Sequence, residues 1–85
     1  MELKETIDMM NSAAFKERFK AEYYQLVIRK EKLEAMLEKY KAGTLPFTPN
    51  CSYEILYEQV VYMKQYQRIL EERARIENVD LKEED

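Results

Sequence analysis

Apolar residues along this chain recur mostly at intervals of three, four and seven, the spacing of helices packed along one face. Leu3, Ile7 and Met10 predict a short amphipathic helix over residues 2–10. Asn11-Ser12 then offers an N-cap, since a short side-chain oxygen can accept from the exposed amides of the next turn. Neither Gly nor Pro occurs from Ala13 to Ala42. Within that stretch Phe19, Leu26, Leu33 and Tyr40 repeat every seven residues, with Tyr23 and Leu37 at the companion position. The pattern predicts one seam of a long helix over 12–42, roughly 45 Å at about 1.5 Å per residue. Gly43 stands where a helix C-terminus needs a left-handed residue.

Residues 43–52 contain both prolines and read as the connection, in which Phe47 is expected to plug the open end and Cys51 to be packed and reduced. Ser52 is the next N-cap candidate, and a second long helix is expected over 53–77. Two stripes run down it. Leu56, Val60, Met63, Leu70 and Ala74 form one; Ile55, Tyr62, Tyr66, Ile69 and Ile76 form the other. Asn78 can serve as a C-cap, and residues 78–85 read as an acidic tail, frayed from Asp80 to Asp85. The fold class is therefore all-α: a short helix followed by a long antiparallel helical hairpin in one domain.

A single partner helix covers only one stripe. The second must be capped by the N-terminal helix or buried against another copy, and self-association through Ile55, Tyr62, Tyr66, Ile69 and Ile76 is the favoured expectation. Lys30 interrupts the first seam and Gln67 the first stripe of the second helix, at similar heights in the hairpin. That placement predicts a polar layer that sets register or lines a site.

Composition narrows the chemistry. Hydrophobic residues at 46% and charged residues at 36% allow a core and argue against disorder. One Gly and two Pro leave too little turn chemistry for a many-stranded β fold, and one Gly excludes Gly-rich nucleotide loops. With no His and one Cys, Cys/His zinc sites, protease triads and disulfide frameworks are excluded, and Cys51 has no base to activate it. Same-face carboxylates such as Glu34/Glu38 and Glu54/Glu58 read as ordinary charged helix surface. No catalytic residue, metal or cofactor is expected. The absence of an apolar run of roughly 18 residues and of a signal-like N-terminus predicts a cytoplasmic protein without a membrane partner.

Charge is uneven. Residues 15–41 carry a net +3 and residues 71–85 a net −4, within an overall −3 that gives no reason to expect duplex nucleic acid. The basic part coincides with aromatics in Phe15-Lys16-Glu17-Arg18-Phe19-Lys20-Ala21-Glu22-Tyr23-Tyr24, followed by Arg29-Lys30. Guanidinium forks pair with phosphate and aromatic faces stack on bases, so a small anionic ligand bearing a base suits this segment. The candidate ligand residues are Phe15, Lys16, Arg18, Lys20, Tyr23, Tyr24 and Arg29. The same pattern also fits a seam of Phe19 and Tyr23 with solvated cations beside it. Seven Tyr against three Phe favour a face whose hydroxyls need partners, either a wet interface or a polar site.

The run from Glu5 to Ser12, the run from Lys16 to Gln25, the Leu45-x-Phe47-x-x-x-Cys51 loop and Glu71-Glu72-Arg73-Ala74-x-Ile76-Glu77 resemble a family of small phage and prophage proteins. That family is described as related to a crAss-like phage reading frame. Ser52 and Phe15 depart from the Pro and Tyr usual there. The short helix with Ile7-Asp8-Met9-Met10-Asn11 ahead of a long hairpin is also similar to phage anti-CBASS and anti-Thoeris sponge proteins. This resemblance implies an oligomer that binds a cyclic oligonucleotide or cyclic ADP-ribose isomer without cleaving it. The alternatives are a helical adaptor that inhibits a host protein through Tyr62, Tyr66 and Ile69, and a structural phage accessory protein.

Overall fold

In the computed structural model, which describes residues 2–10 and 14–81, every regular element is an α-helix: α1 (Leu3–Met10), α2 (Phe15–Ala42) and α3 (Tyr53–Glu77). The Gly- and Pro-free stretch forms α2. The helix starts at Phe15 with Ala14 as its N-cap and no side-chain cap, a few residues later than the expected start at 12. Asn11-Ser12, expected as the cap, lies outside the described residues.

At the other end Gly43 adopts φ 74°, ψ 17°. Its N–H donates to the Tyr40 carbonyl at 3.1 Å, and the Thr44 N–H donates to Lys39 at 2.9 Å. This paired arrangement satisfies two carbonyls of the last turn and stops the helix. Ser52 opens α3 by accepting the Ile55 N–H on Oγ at 3.3 Å. Asn78 closes it with φ 58°, and the Val79 N–H donates to Ala74 at 2.9 Å.

α2 is the middle layer, with α1 against one side and α3 against another; among the described residues α1 does not touch α3. Between α2 and α3, Phe19 packs with Leu70 and Ala74, and further along Leu37 and Val60 are buried. The first stripe of α3 thus forms the core, as its spacing predicts. Lys30 and Gln67 engage separate partners. Lys30 pairs with Glu34, which also pairs with Lys64, each at 3.5 Å, while the Gln67 Nε2 donates to Glu71 at 3.3 Å.

α1 departs from its expected apolar face. Ile7 is exposed, whereas Thr6 is completely buried. The Thr6 hydroxyl donates to the Leu3 carbonyl at 2.6 Å and accepts from Gln25 Nε2 at 2.8 Å. A buried hydroxyl with both partners in place carries little desolvation penalty, so α1 can dock through it and rotate Ile7 outward.

The segment after α3 is not frayed at its start. Val79 is buried in the Phe19–Leu70–Ala74 cluster and Leu81 packs against it. The left-handed Asn78 turns the chain back, which brings two apolar residues onto the hairpin instead of into solvent. The loop also differs from expectation. Phe47 is 56% exposed and lies with Leu45 and Pro46 over Lys32, Ala35, Met36 and Lys39 of α2, so it does not plug the gap between helices. Cys51, just before α3, is exposed and not packed.

Candidate functional site

Seven residues of α2 are candidate ligand contacts on sequence grounds, and the helix divides them. At about 100° per residue, Phe15, Arg18 and Arg29 fall within roughly 60° of arc, with Glu22 among them. Lys16, Lys20, Tyr23 and Tyr24 project to the other side of the helix. No single surface collects all seven.

On the second side, Tyr24 is 6% exposed, and its hydroxyl donates to the Leu81 carbonyl at 2.9 Å. It is a core residue that tethers the C-terminal segment, which corrects its assignment as a ligand contact. Tyr23 is half-buried, with its ring edge-on to Tyr24 at 5.8 Å, and its hydroxyl donates to Glu71 Oε2 at 2.7 Å. Burial, then the hydrogen bond to Glu71, push the phenol up to about 12. A neutral, engaged phenol at the helix–helix seam serves register. Lys16 is exposed and Lys20 half-buried beside these structural residues.

The first side is different. Phe15, Arg18 and Arg29 are exposed. Glu22 between them accepts the hydroxyl of Tyr66 from α3. Beside it the Arg73 guanidinium carbon lies 4.9 Å from the Phe19 ring centroid, and Arg73 Nε donates to Glu77 at 3.1 Å. Phe15 and Phe19 are tilted neighbours at 6.0 Å. The Tyr66–Glu22 bond therefore joins the arginine row of α2 to the face of α3 that carries Tyr62, Tyr66, Ile69 and Arg73.

That face of α3 is the second stripe, and none of the described residues covers it. Ile55 is 59% exposed, Tyr62 65% and Ile76 63%, against 1% for Leu70 on the core side. α1 packs elsewhere, so capping by the N-terminal helix does not occur. The sequence pattern singles out Tyr62 and Tyr66 for assembly or for docking on a host protein, and passes over Arg73. Its signal was their heptad spacing, which says nothing about the α2 cations that the hairpin sets alongside.

Two grooves lie near the loop end of the hairpin. One of about 340 Å³ is lined by Met36, Leu45 and Phe47 with Lys32 and Lys39. The other, about 230 Å³, is lined by Tyr53, Tyr57 and Val60 with charges of both signs. Neither is lined by any of the seven candidates. Among the described residues there is no cluster of three His, Cys, Asp or Glu side chains that could hold a metal. Nor is any described helix long and apolar enough to cross a membrane.

The family model described as Sequestin matches residues 13–76. The match spans α2, the loop and nearly all of α3, and leaves out α1 and the C-terminal segment. No curated protein and no solved structure matches the chain.

Proposed function

The chain belongs to the Sequestin family, and on that premise we propose that it captures a cyclic oligonucleotide or cyclic ADP-ribose-type immune signal and holds it intact, as a phage-encoded counter-defence protein. The family's name denotes sequestration, and sequestration is what this surface is equipped for. The observation that carries the reading is the Tyr66–Glu22 bond, which ties the exposed Tyr66 of α3 to the arc of α2 that holds the exposed Arg18 and Arg29.

Each part has a defined task. Arg18 and Arg29 pair with phosphate oxygens through charge-assisted, two-pronged hydrogen bonds. Phe15, Tyr62 or Tyr66 stacks on a base, and an arginine can contribute a cation–π contact. Lys16 and Lys20, on the far side, add only long-range attraction. Cleavage of a phosphodiester or glycosidic bond requires a positioned nucleophile or general base. Of the carboxylates on this surface, Glu22 is committed to the Tyr66 hydroxyl and Glu77 to Arg73.

A protein that binds without turnover works by mass action. It must be more abundant than the signal and bind it more tightly than the effector does. Tight binding to a short hairpin requires a site organised before the ligand arrives, which self-association through the α3 stripe supplies. This activity belongs in the cytoplasm of an infected host, where such signals act.

The test is calorimetric titration with a panel of cyclic dinucleotides, cyclic trinucleotides and cyclic ADP-ribose isomers, with the ligand recovered and its mass measured afterwards. Binding of at least one member, recovered intact, supports the reading. Cleavage of the ligand, or no binding across the panel, overturns it. In the second case the exposed Tyr62–Tyr66–Ile69 face favours the alternative, an adaptor that docks on a host protein.

A further inference from the structure

A second surface joins aromatic and charged groups, on another side of the hairpin. It is the groove of about 230 Å³ between α2 and α3 near the loop end. Its α2 residues Glu34, Glu38 and Lys41 lie roughly 140–200° around the helix from Arg18, so it is separate from the arginine–tyrosine face. Leu37 and Val60 line it and are buried, which gives it an apolar floor.

The aromatic wall is ordered without a guest. Tyr53 and Tyr57, one turn apart on α3, stack with 6.1 Å between ring centroids and 20° between ring planes. Tyr40 of α2 meets Tyr53 edge-on at 5.7 Å and fixes it from across the seam. Tyr57 is 54% exposed, so it keeps ring surface for a planar ligand.

The charges in the groove are of two kinds. Glu34 is satisfied, since Lys30 and Lys64 each pair with it at 3.5 Å. Among the described residues, Glu38 and Lys41 have no ion-pair partner. They stand three positions apart on one helix face, where side chains are neighbours. An unengaged carboxylate, an unengaged ammonium and a stacking wall together suit a flat ring that bears hydrogen-bond donors and an acidic substituent.

We propose that this groove binds a guanine nucleotide. Guanine alone among the common bases presents two parallel N–H donors on one edge, N1–H and N2–H, which match the two oxygens of Glu38. The ring stacks on Tyr57 and the phosphate pairs with Lys41. Adenine and cytosine would turn a ring-nitrogen acceptor toward the carboxylate, and uracil would turn two carbonyls, so Glu38 selects against all three. A guanidinium from a protein partner could also meet Glu38 and Tyr57, but Lys41 repels it. The site does not depend on the signal-binding reading of the opposite face.

Calorimetric titration of the full chain with guanosine, inosine and adenosine 5′-monophosphates tests the proposal. Inosine monophosphate keeps the N1–H and lacks the 2-amino group. Guanosine monophosphate should bind about tenfold or more tightly than either of the others. Glu38→Ala should remove that preference. Lys41→Ala should weaken guanosine monophosphate and leave the affinity of the uncharged nucleoside guanosine as it was. Both positions are exposed and Ala favours a helix interior, and circular dichroism checks that helicity is kept. Arg18→Glu should not change these titrations, which separates this site from the arginine–tyrosine face. No binding of guanosine monophosphate at millimolar concentration, or equal binding of the three nucleotides, overturns the proposal. So does a base preference that survives Glu38→Ala, an equal effect of Lys41→Ala on guanosine, loss of binding in Arg18→Glu, or competition by agmatine, a bare guanidinium chain, at the same concentration.

Discussion

The Tyr23 hydroxyl donates to Glu71 Oε2 at 2.7 Å across 48 positions of sequence, and this bond sets the register of α2 against α3. Gln67 Nε2 donates to the same carboxylate oxygen at 3.3 Å, so one glutamate of α3 gathers two polar side chains at the seam. A slide of one helical turn between α2 and α3 would break the Tyr23–Glu71 bond, while the Gln67–Glu71 contact, within α3, would remain. The bond thus complements the non-directional packing of Phe19, Leu70 and Ala74, which by itself tolerates small shifts.

The same bond predicts a stability change at high pH. The Tyr23 phenol is raised from about 10 to about 12, by burial first and then by Glu71. A group with a raised folded-state value contributes stability that is complete below the unfolded value and lost as pH rises through the folded one. The contribution of Tyr23 is therefore intact below pH 10 and lost between pH 10 and 12. A difference titration of phenolate absorbance between the parent and Tyr23→Phe should show a transition near pH 12. A transition at pH 10 would show that the hydroxyl is not held. At neutral pH, Tyr23→Phe should cost about 1 kcal/mol in urea unfolding.

Leu70 is the most buried leucine of the hairpin core. Leu70→Ala should cost about 2–5 kcal/mol, from lost transfer energy and the cavity left behind. In a domain of this size that is a large share of total stability. Chemical denaturation of the two proteins measures it, and a loss under 1 kcal/mol would mean that the helices do not close on Leu70 as described.

Thr6→Val keeps the shape of the α1 side chain and removes its hydroxyl, which pairs with Leu3 and with Gln25 Nε2. The expected loss is about 1–2 kcal/mol and is local to the α1–α2 contact. Amide exchange should accelerate in residues 3–10 and stay unchanged in the core turns of α3 around Leu70. Uniform acceleration throughout the chain would contradict a separately docked α1.

Arg18→Glu and Tyr24→Phe should behave oppositely. Arg18 is exposed on the arginine–tyrosine side, so charge reversal should weaken ligand binding by at least a hundredfold while the helical content stays unchanged. Tyr24→Phe removes the bond to the Leu81 carbonyl. It should speed proteolysis near the C-terminus and leave ligand affinity as it was. Parallel calorimetry and limited digestion of both variants measure the contrast, and ligand loss in Tyr24→Phe would return that residue to the binding site.

The three helices, the loop and the two stripes of α3 were all determined by the sequence. Helical periodicity, the absence of Gly and Pro within α2, and local caps at Gly43, Ser52 and Asn78 are properties of neighbouring residues, and neighbours are what a sequence displays. That α2 leaves the second stripe uncovered was equally legible, since two helices can bury only one face of each other. The tertiary structure alone decided which polar residues meet across the seam. Tyr23 and Tyr24 are adjacent in sequence and aromatic, yet one bonds Glu71 while the other enters the core, because 100° of helical rotation aims them at different neighbours. The burial of Thr6 in place of Ile7, and the return of Val79 and Leu81 onto the hairpin, have the same origin. Each depends on a partner some nineteen to fifty-seven positions away. The division of the basic aromatic segment between a structural seam and an exposed arginine–tyrosine face follows from the direction in which α3 crosses α2, and that direction exists only in the folded chain.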